Sequence, residues 1–206
     1  MFMIGSKRTI LPGDMHTHRP HPTFSVDLPG GQDRLRQMIL YVSQRCVSAR
    51  HFGLIKLNKI IWRADFEAYA TRGVPVTGRP YQRLRLGPAA KEMLPIHNGM
   101  LRDGLIEMSL RDFGDDIVER RTIALATPNM HYFSADDIRF VDESIRHYWD
   151  KTGTETSDES HGVAWSSRED KDPMPYESAY LSDEELGWAQ RLRISTMMYD
   201  RSWTTE

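Results

Sequence analysis

A chain of 206 residues accommodates one domain, or one domain with tails, but not two full-sized domains. With 39% hydrophobic and 27% charged residues it can bury a sizeable core, which excludes wholesale disorder. A net charge of -2 argues against a protein that coats nucleic acid through charge alone. Mean hydropathy is -0.56, and no apolar run approaches the roughly 20 residues needed to span a bilayer. The first residues lack the long apolar stretch and small-residue cleavage site of a secretory signal. The single cysteine, Cys46, forbids an intrachain disulfide and fits a reducing cytoplasm.

Residues 1–31 carry Pro12, Pro20, Pro22, Pro29, Gly30 and Gly31 with little periodicity, which reads as a poorly ordered leader. Its histidines, His16, His18 and His21, lack the folded frame that a metal site needs. A domain over 32–200 and a short tail over 201–206 are expected to follow. Leu35, Met38, Ile39, Val42 and Cys46 recur at helical spacing, giving a first amphipathic helix to about Ala49. Cys46 lies on that apolar stripe, as a core residue does.

The second helix, from about Gly53 to Thr71, carries the most information. On a wheel of about 100° per residue, Leu57, Ile60, Ile61, Ala64 and Ala68 form one apolar stripe. Trp62, Phe66 and Tyr69 form a second, nearly opposite. Lys56, Lys59, Arg63 and Glu67 share the polar arc. A helix apolar on two sides is packed on two sides, so this is the central helix. Asn58 and Asp65 fall between the stripes and are expected to be buried. Structural polar anchoring is the favoured role, and catalysis by Asp65 the alternative.

Gly73 and Pro75 stop that helix. Residues Tyr81 to Leu86 alternate as a half-buried strand, and Gly87-Pro88 is expected to open a helix running through Leu94. Leu105 to Leu110 and Arg121 to Ala126 read as a hairpin with a long acidic loop. Ser134-x-x-Asp137, flanked by Phe133 and Ile138, has the form of a capping box with a hydrophobic staple. It opens a helix that turns Ile138, Val141, Ile145 and Tyr148 inward. Ser182-x-x-Glu185 repeats the device before a Met-rich helix from Asp183 to about Tyr199. The fold expected is mainly α with a small antiparallel β-sheet (α+β), a compact helical domain around a central buried helix.

Charge is unevenly distributed. Lys56 to Lys91 holds eight basic residues against Asp65 and Glu67, a net of +6, while Ser134 to Leu186 holds fifteen acidic against five basic residues, a net of -10. The two segments either neutralise each other on folding or face partners of opposite sign, the first being favoured. No phosphate loop, dinucleotide fingerprint, His-Glu-x-x-His helix or Cys-x-x-Cys pair is present. No catalytic constellation, metal site or cofactor is therefore expected. Ser160 and His161 are adjacent, and neighbours in sequence rarely form a nucleophile–base pair.

The run Lys56-Leu57-Asn58-Lys59-Ile60-Ile61-Trp62-Arg63-Ala64-Asp65 resembles the central helix of the Panacea domain, with its Lys-Leu-x-Lys, two aliphatics, an aromatic and Ala. Gly73-x-Pro75 and Thr77-Gly78 resemble the family's next turn, and Tyr81 to Pro88 its short strand, with Leu86 where an aromatic often stands. Ser160-His161, Trp165 and Pro175-Tyr176-Glu177 resemble its C-terminal signature. The resemblance implies an antitoxin of bacterial or phage origin that binds and neutralises a toxin encoded beside it. An adaptor that hands the toxin to a protease or chaperone is compatible with this. The alternative is a winged helix-turn-helix regulator in which Lys56, Lys59 and Arg63 touch phosphates, although a helix apolar on two sides would be a poor recognition helix. Nucleic acid and membrane are not expected as partners. The expected partner surface joins Lys56, Lys59 and Arg63 to Arg83 and Arg85, with Tyr81 on the same strand face and Tyr176 as a second anchor. In the competing reading, these cations pair with the acidic C-terminal half.

Overall fold

The computed structural model describes residues 21–112, 114 and 118–181. His16, His18, the capping box at Ser182, the helix expected over 183–199 and the tail from 201 lie outside the described residues.

The chain forms α1 (Gln32–Arg45) and α2 (Leu54–Arg72), then β1 (Tyr81–Leu84), β2 (Gly87–Ala90) and α3 (Met93–Arg102). A hairpin of β3 (Ile106–Asp112) and β4 (Val118–Ala124) precedes α4 (Ala135–Tyr148), α5 (Gly153–Glu159) and α6 (Val163–Ser166). The described part ends with the two-residue strand β5 (Pro173–Met174) and a 3₁₀ turn, Tyr176–Tyr180. Strands pair antiparallel throughout: β2-β1-β5 make one small sheet and β3-β4 the other. This is an α+β fold, mainly helical.

The first helix buries Leu35, Met38, Ile39 and Val42 as its spacing predicts, and Cys46 caps it at 1% exposure. Burial pushes the Cys46 thiol up to about 12, away from nucleophilic use. The second helix is more enclosed than two stripes require: every residue from Lys56 to Ile61 is buried. It packs against α1, α4, α5, β2 and the 3₁₀ turn, which enclose most of it and leave Glu67 exposed. Gly73 closes it in the left-handed conformation at φ 72°, as a glycine C-cap does.

Three local expectations fail. The hairpin loop is shorter than expected, since β3 continues through Asp112 and β4 starts at Val118, with Arg111 opposite Glu119. Gly87-Pro88 opens β2 rather than a helix. Arg85 and Leu86 form a two-residue turn, and the chain returns with Leu84 opposite Gly87 and Tyr81 opposite Ala90. Proline is tolerated there because β2 is the sheet's edge, and the following helix starts only at Met93, with Pro95 in its first turn. Residues 21–31, expected within the leader, are tied to the domain. Val26 N donates to the Gly78 carbonyl (3.0 Å), and the Thr23 carbonyl accepts from Tyr176 N (2.8 Å).

Ser134 and Asp137 form the predicted capping box, each side chain accepting from the other's backbone N–H. Part of the charge asymmetry is neutralised inside the fold. Arg72 pairs with Asp136 (3.1 Å) and Asp137, and Arg83 lies 3.6 Å from Asp170.

Candidate functional site

The central helix carries Lys56, Asn58, Lys59 and Asp65 inward, and each finds a backbone or hydroxyl partner. Asn58 Nδ2 donates to the Pro88 carbonyl at 2.7 Å, while its Oδ1 accepts from Ala90 N at 3.4 Å. Lys59 Nζ donates to the same Pro88 carbonyl at 2.7 Å. Two side chains of α2 thus occupy hydrogen-bonding groups that an edge strand would otherwise offer to solvent. Burial alone lowers Lys59 to about 7. Lys56 Nζ donates to the Trp149 carbonyl at 3.1 Å, and burial lowers its pKa as well.

Asp65, one helical face away, is fully enclosed. Its Oδ1 accepts from Thr77 N (2.5 Å), and its Oδ2 accepts from the Thr77 and Tyr81 hydroxyls, the latter at 2.7 Å. Burial raises its pKa to about 6 even though those donors favour the charged form. Tyr176 lies against this group; its hydroxyl donates to the Arg79 carbonyl at 2.7 Å. Its ring stacks on Tyr69 with centroids 5.2 Å apart, and burial holds its phenol well above the ordinary range.

Four of the seven residues expected at a partner surface are therefore interior. Lys56, Lys59, Tyr81 and Tyr176 are each no more than 1% exposed. The wheel placed the two lysines on a polar arc, but β2, α5 and the loop after α4 cover that arc. The phosphate contacts of the winged helix-turn-helix alternative go with them, since both amines point into backbone carbonyls.

The remaining three are arginines at or near the surface. Arg63 forms an ion pair with Glu67 one turn on, at 3.1 Å. Arg85 is exposed in the β1–β2 turn. Arg83 is half-buried, its guanidinium 4.0 Å from the centre of the Trp165 ring. His161 stacks on the same indole at 3.9 Å and 19°, and Trp165 Nε1 donates to the Leu84 carbonyl at 2.7 Å. The structure thus brings Arg83 together with Ser160-His161 and Trp165, residues far apart in sequence. His161 has its pKa lowered by burial first and by Lys59 and Arg83 nearby. Ser160 Oγ donates to the Ser157 carbonyl at 2.6 Å, so it is held away from His161 as a nucleophile partner.

Sequence reasoning missed two features. Thr152-x-x-Glu155 is a second complete capping box, opening α5, and its pattern was present to be read. Arg121 is 1% exposed and donates to the carbonyls of Val47 (2.9 Å) and Ala49 (2.5 Å), fixing the α1–α2 connection to the hairpin. No local pattern announces that role. Among the described residues, no three His, Cys, Asp or Glu side chains could jointly hold a metal ion, and no helix is long and apolar enough to cross a membrane.

Comparisons with curated proteins and with solved structures give no match. The sequence profile described as "Antitoxin SocA-like, Panacea domain" matches residues 57–166, from the second turn of α2 through α6. That span holds Asn58, Lys59, Asp65, the β1–β2 hairpin and the Ser160-His161 and Trp165 cluster, and it is more than half of the chain. The chain belongs to the SocA-like antitoxin family defined by the Panacea domain.

Proposed function

We propose that this protein is an antitoxin that neutralises a cognate toxin by direct protein–protein binding, without catalysis. The observation that supports the reading is the family match over residues 57–166. The arrangement of α2 is compatible with it: the buried lysines and carboxylate serve packing, leaving binding to the surface. We place the toxin contact on the face that carries Arg85, Arg83 and Trp165, with Arg63 at its margin. An arginine stacked on an indole is rigid and amphipathic, which suits an interface anchor. Delivery of the bound toxin to a protease is the finer form of the same proposal.

The test is co-expression with the adjacent open reading frame. A small neighbouring product that arrests growth alone, is harmless with this chain and co-purifies with it supports neutralisation by binding. Arrest unrelieved by this chain overturns it. A toxin whose half-life shortens only when this chain is present marks the adaptor form.

A further inference from the structure

The β3–β4 hairpin is a sheet of only two strands, and its two edges are unequal. β4 packs against α1 and α2, whereas the chief neighbour of β3 besides β4 is α3, the helix leading into it. From Glu107 to Asp112 the strand is half-buried or exposed, with Leu110 at 66% exposure. The pairing runs without a bulge from Ile106 opposite Ala124 to Asp112 opposite Val118, and no proline or lysine blunts the edge. The Leu105 carbonyl accepts from Leu125 N at 2.9 Å. Bonded and non-bonded positions alternate along an antiparallel pair. Glu107, Ser109 and Arg111 therefore direct their backbone groups to β4, while Met108 and Leu110 turn theirs outward. Among the described residues, nothing hydrogen-bonds to those outward groups.

This edge is complementary to itself. Glu107, Met108, Ser109, Leu110 and Arg111 read acid, apolar, small, apolar, base about Ser109. Two copies of β3 placed antiparallel on a two-fold axis at Ser109 set Met108 opposite Leu110 of the second copy, twice. These are the residues whose outward N–H and carbonyl groups then bond across the axis. Glu107 faces Arg111 of the second copy, also twice, on the other face of the joined sheet. Within the chain, Arg111 stands opposite Glu119, which already bonds Arg121 and the Phe52 N–H, and Glu107 stands opposite Ile123. Both charges are thus open to a partner. Sliding one copy by two residues either way separates both charge pairs, so a single register is favoured.

We propose that two copies of this chain pair through β3, joining their hairpins into one four-stranded antiparallel sheet. The inference is independent of the antitoxin reading. Sedimentation of the full chain from micromolar to near-millimolar concentration should show a reversible monomer–dimer equilibrium. Glu107→Arg sets like charges opposite each other twice and should weaken the dimer about tenfold or more, as should Arg111→Glu. An equal mixture of the two variants regains both ion pairs and should dimerise as wild type does. A wild type that stays monomeric, a dimer that ignores either variant, or a mixture no tighter than its components overturns the proposal. A monomer whose hold on a toxin is weakened by Glu107→Arg also overturns it, and gives the edge to the toxin. Should Arg111→Glu unfold beside Glu119, a thiol at the axis decides, since Cys46 is buried and takes no part. Ser109→Cys should link two chains by a disulfide under mild oxidation. Glu107→Cys, about 13 Å from its counterpart in this register, should not. Equal linkage of both variants, or of neither, overturns the proposal.

Discussion

The Tyr81 hydroxyl donates to Oδ2 of Asp65 across 2.7 Å, joining the first strand to the middle of the central helix where solvent does not reach. Thr77 adds its backbone N–H and hydroxyl to the same carboxylate, so the loop after α2 is folded onto the helix it leaves. Removing the acceptor strands three donors. Asp65→Ala should therefore lower stability by about 2–4 kcal/mol, and Tyr81→Phe by about 1 kcal/mol. A denaturant-melt double-mutant cycle checks the pair: additive losses would mean that the hydroxyl and the carboxylate are energetically uncoupled.

The same carboxylate gives a pH signature. Asp65 has a folded-state pKa of about 6 against an ordinary 3.8, so between those values the folded chain holds the extra proton. Its cost is fully present above pH 6 and is relieved as pH falls toward 3.8. The stability of wild type relative to Asp65→Asn should improve across that window on acidification and stay flat above it. The comparison must be made as a difference, because Glu92, whose pKa is lowered in contact with Arg79, loses stability in the acid range. A flat difference from pH 4 to 6 would show that the carboxylate is ionised throughout.

Lys59 titrates at the other end. Its folded-state pKa of about 7 lies below the ordinary 10.5, so the unfolded chain holds the extra proton between these values. Stability from this group rises as pH climbs through that interval, and the burial cost is complete below pH 7. Lys59→Met removes the charge and keeps the volume, while Asn58 still donates to the Pro88 carbonyl. The variant should melt higher than wild type at pH 6, with the advantage shrinking by pH 10. An advantage independent of pH would mean that packing, not protonation, separates the two.

Gly87 is constrained on two counts. It sits at φ 93°, and a Cβ there would stand 2.1 Å from Ser160 Oγ and 2.5 Å from Lys59 Nζ. Relaxing that contact means moving a buried lysine and the end of α5 together. Gly87→Ala should cost about 2 kcal/mol or more. A thermal melt within a degree of wild type would show that the turn repacks freely.

Much of the fold was legible because its cause is local. Helical spacing marks α1 and α2, Ser134-x-x-Asp137 marks the start of α4, and two short β-prone runs on either side of an acidic segment mark the hairpin, though not its exact ends. The burial of Lys56 and Lys59 was not legible. It depends on β2 and α5 arriving from 30 and 100 residues away, and a wheel assigns polar residues to solvent by default. Tyr176 was misplaced for the same reason: its environment comes from Phe66, Tyr69 and Tyr81, none of them its neighbours in sequence. The Gly87-Pro88 pair was ambiguous between a helix start and a strand start, and the edge position on the sheet decided it. Arg83 and Arg85, two residues apart, looked equivalent. The fold separates them, since Trp165 takes one and the turn exposes the other.

That separation makes charge reversal informative at each position. Arg83 stacks on Trp165 and lies 3.6 Å from Asp170, so Arg83→Glu sets two acids beside each other and removes the stack. It should lower the melting temperature, and any loss of neutralisation would then follow from structure. Arg85 is exposed in the β1–β2 turn. Arg85→Glu should leave the melting temperature within a degree or two, in the range of ordinary surface substitutions. If the toxin docks on this face, the reversal should still weaken protection against the toxin, and the complex should form more slowly, with a smaller dependence on salt. Growth rescue and the association rate, measured on the same stably folded variant, decide the matter. Arg85→Glu that protects as well as wild type moves the toxin contact off the β1–β2 turn, and Arg63→Glu then tests the margin of the face beside α2.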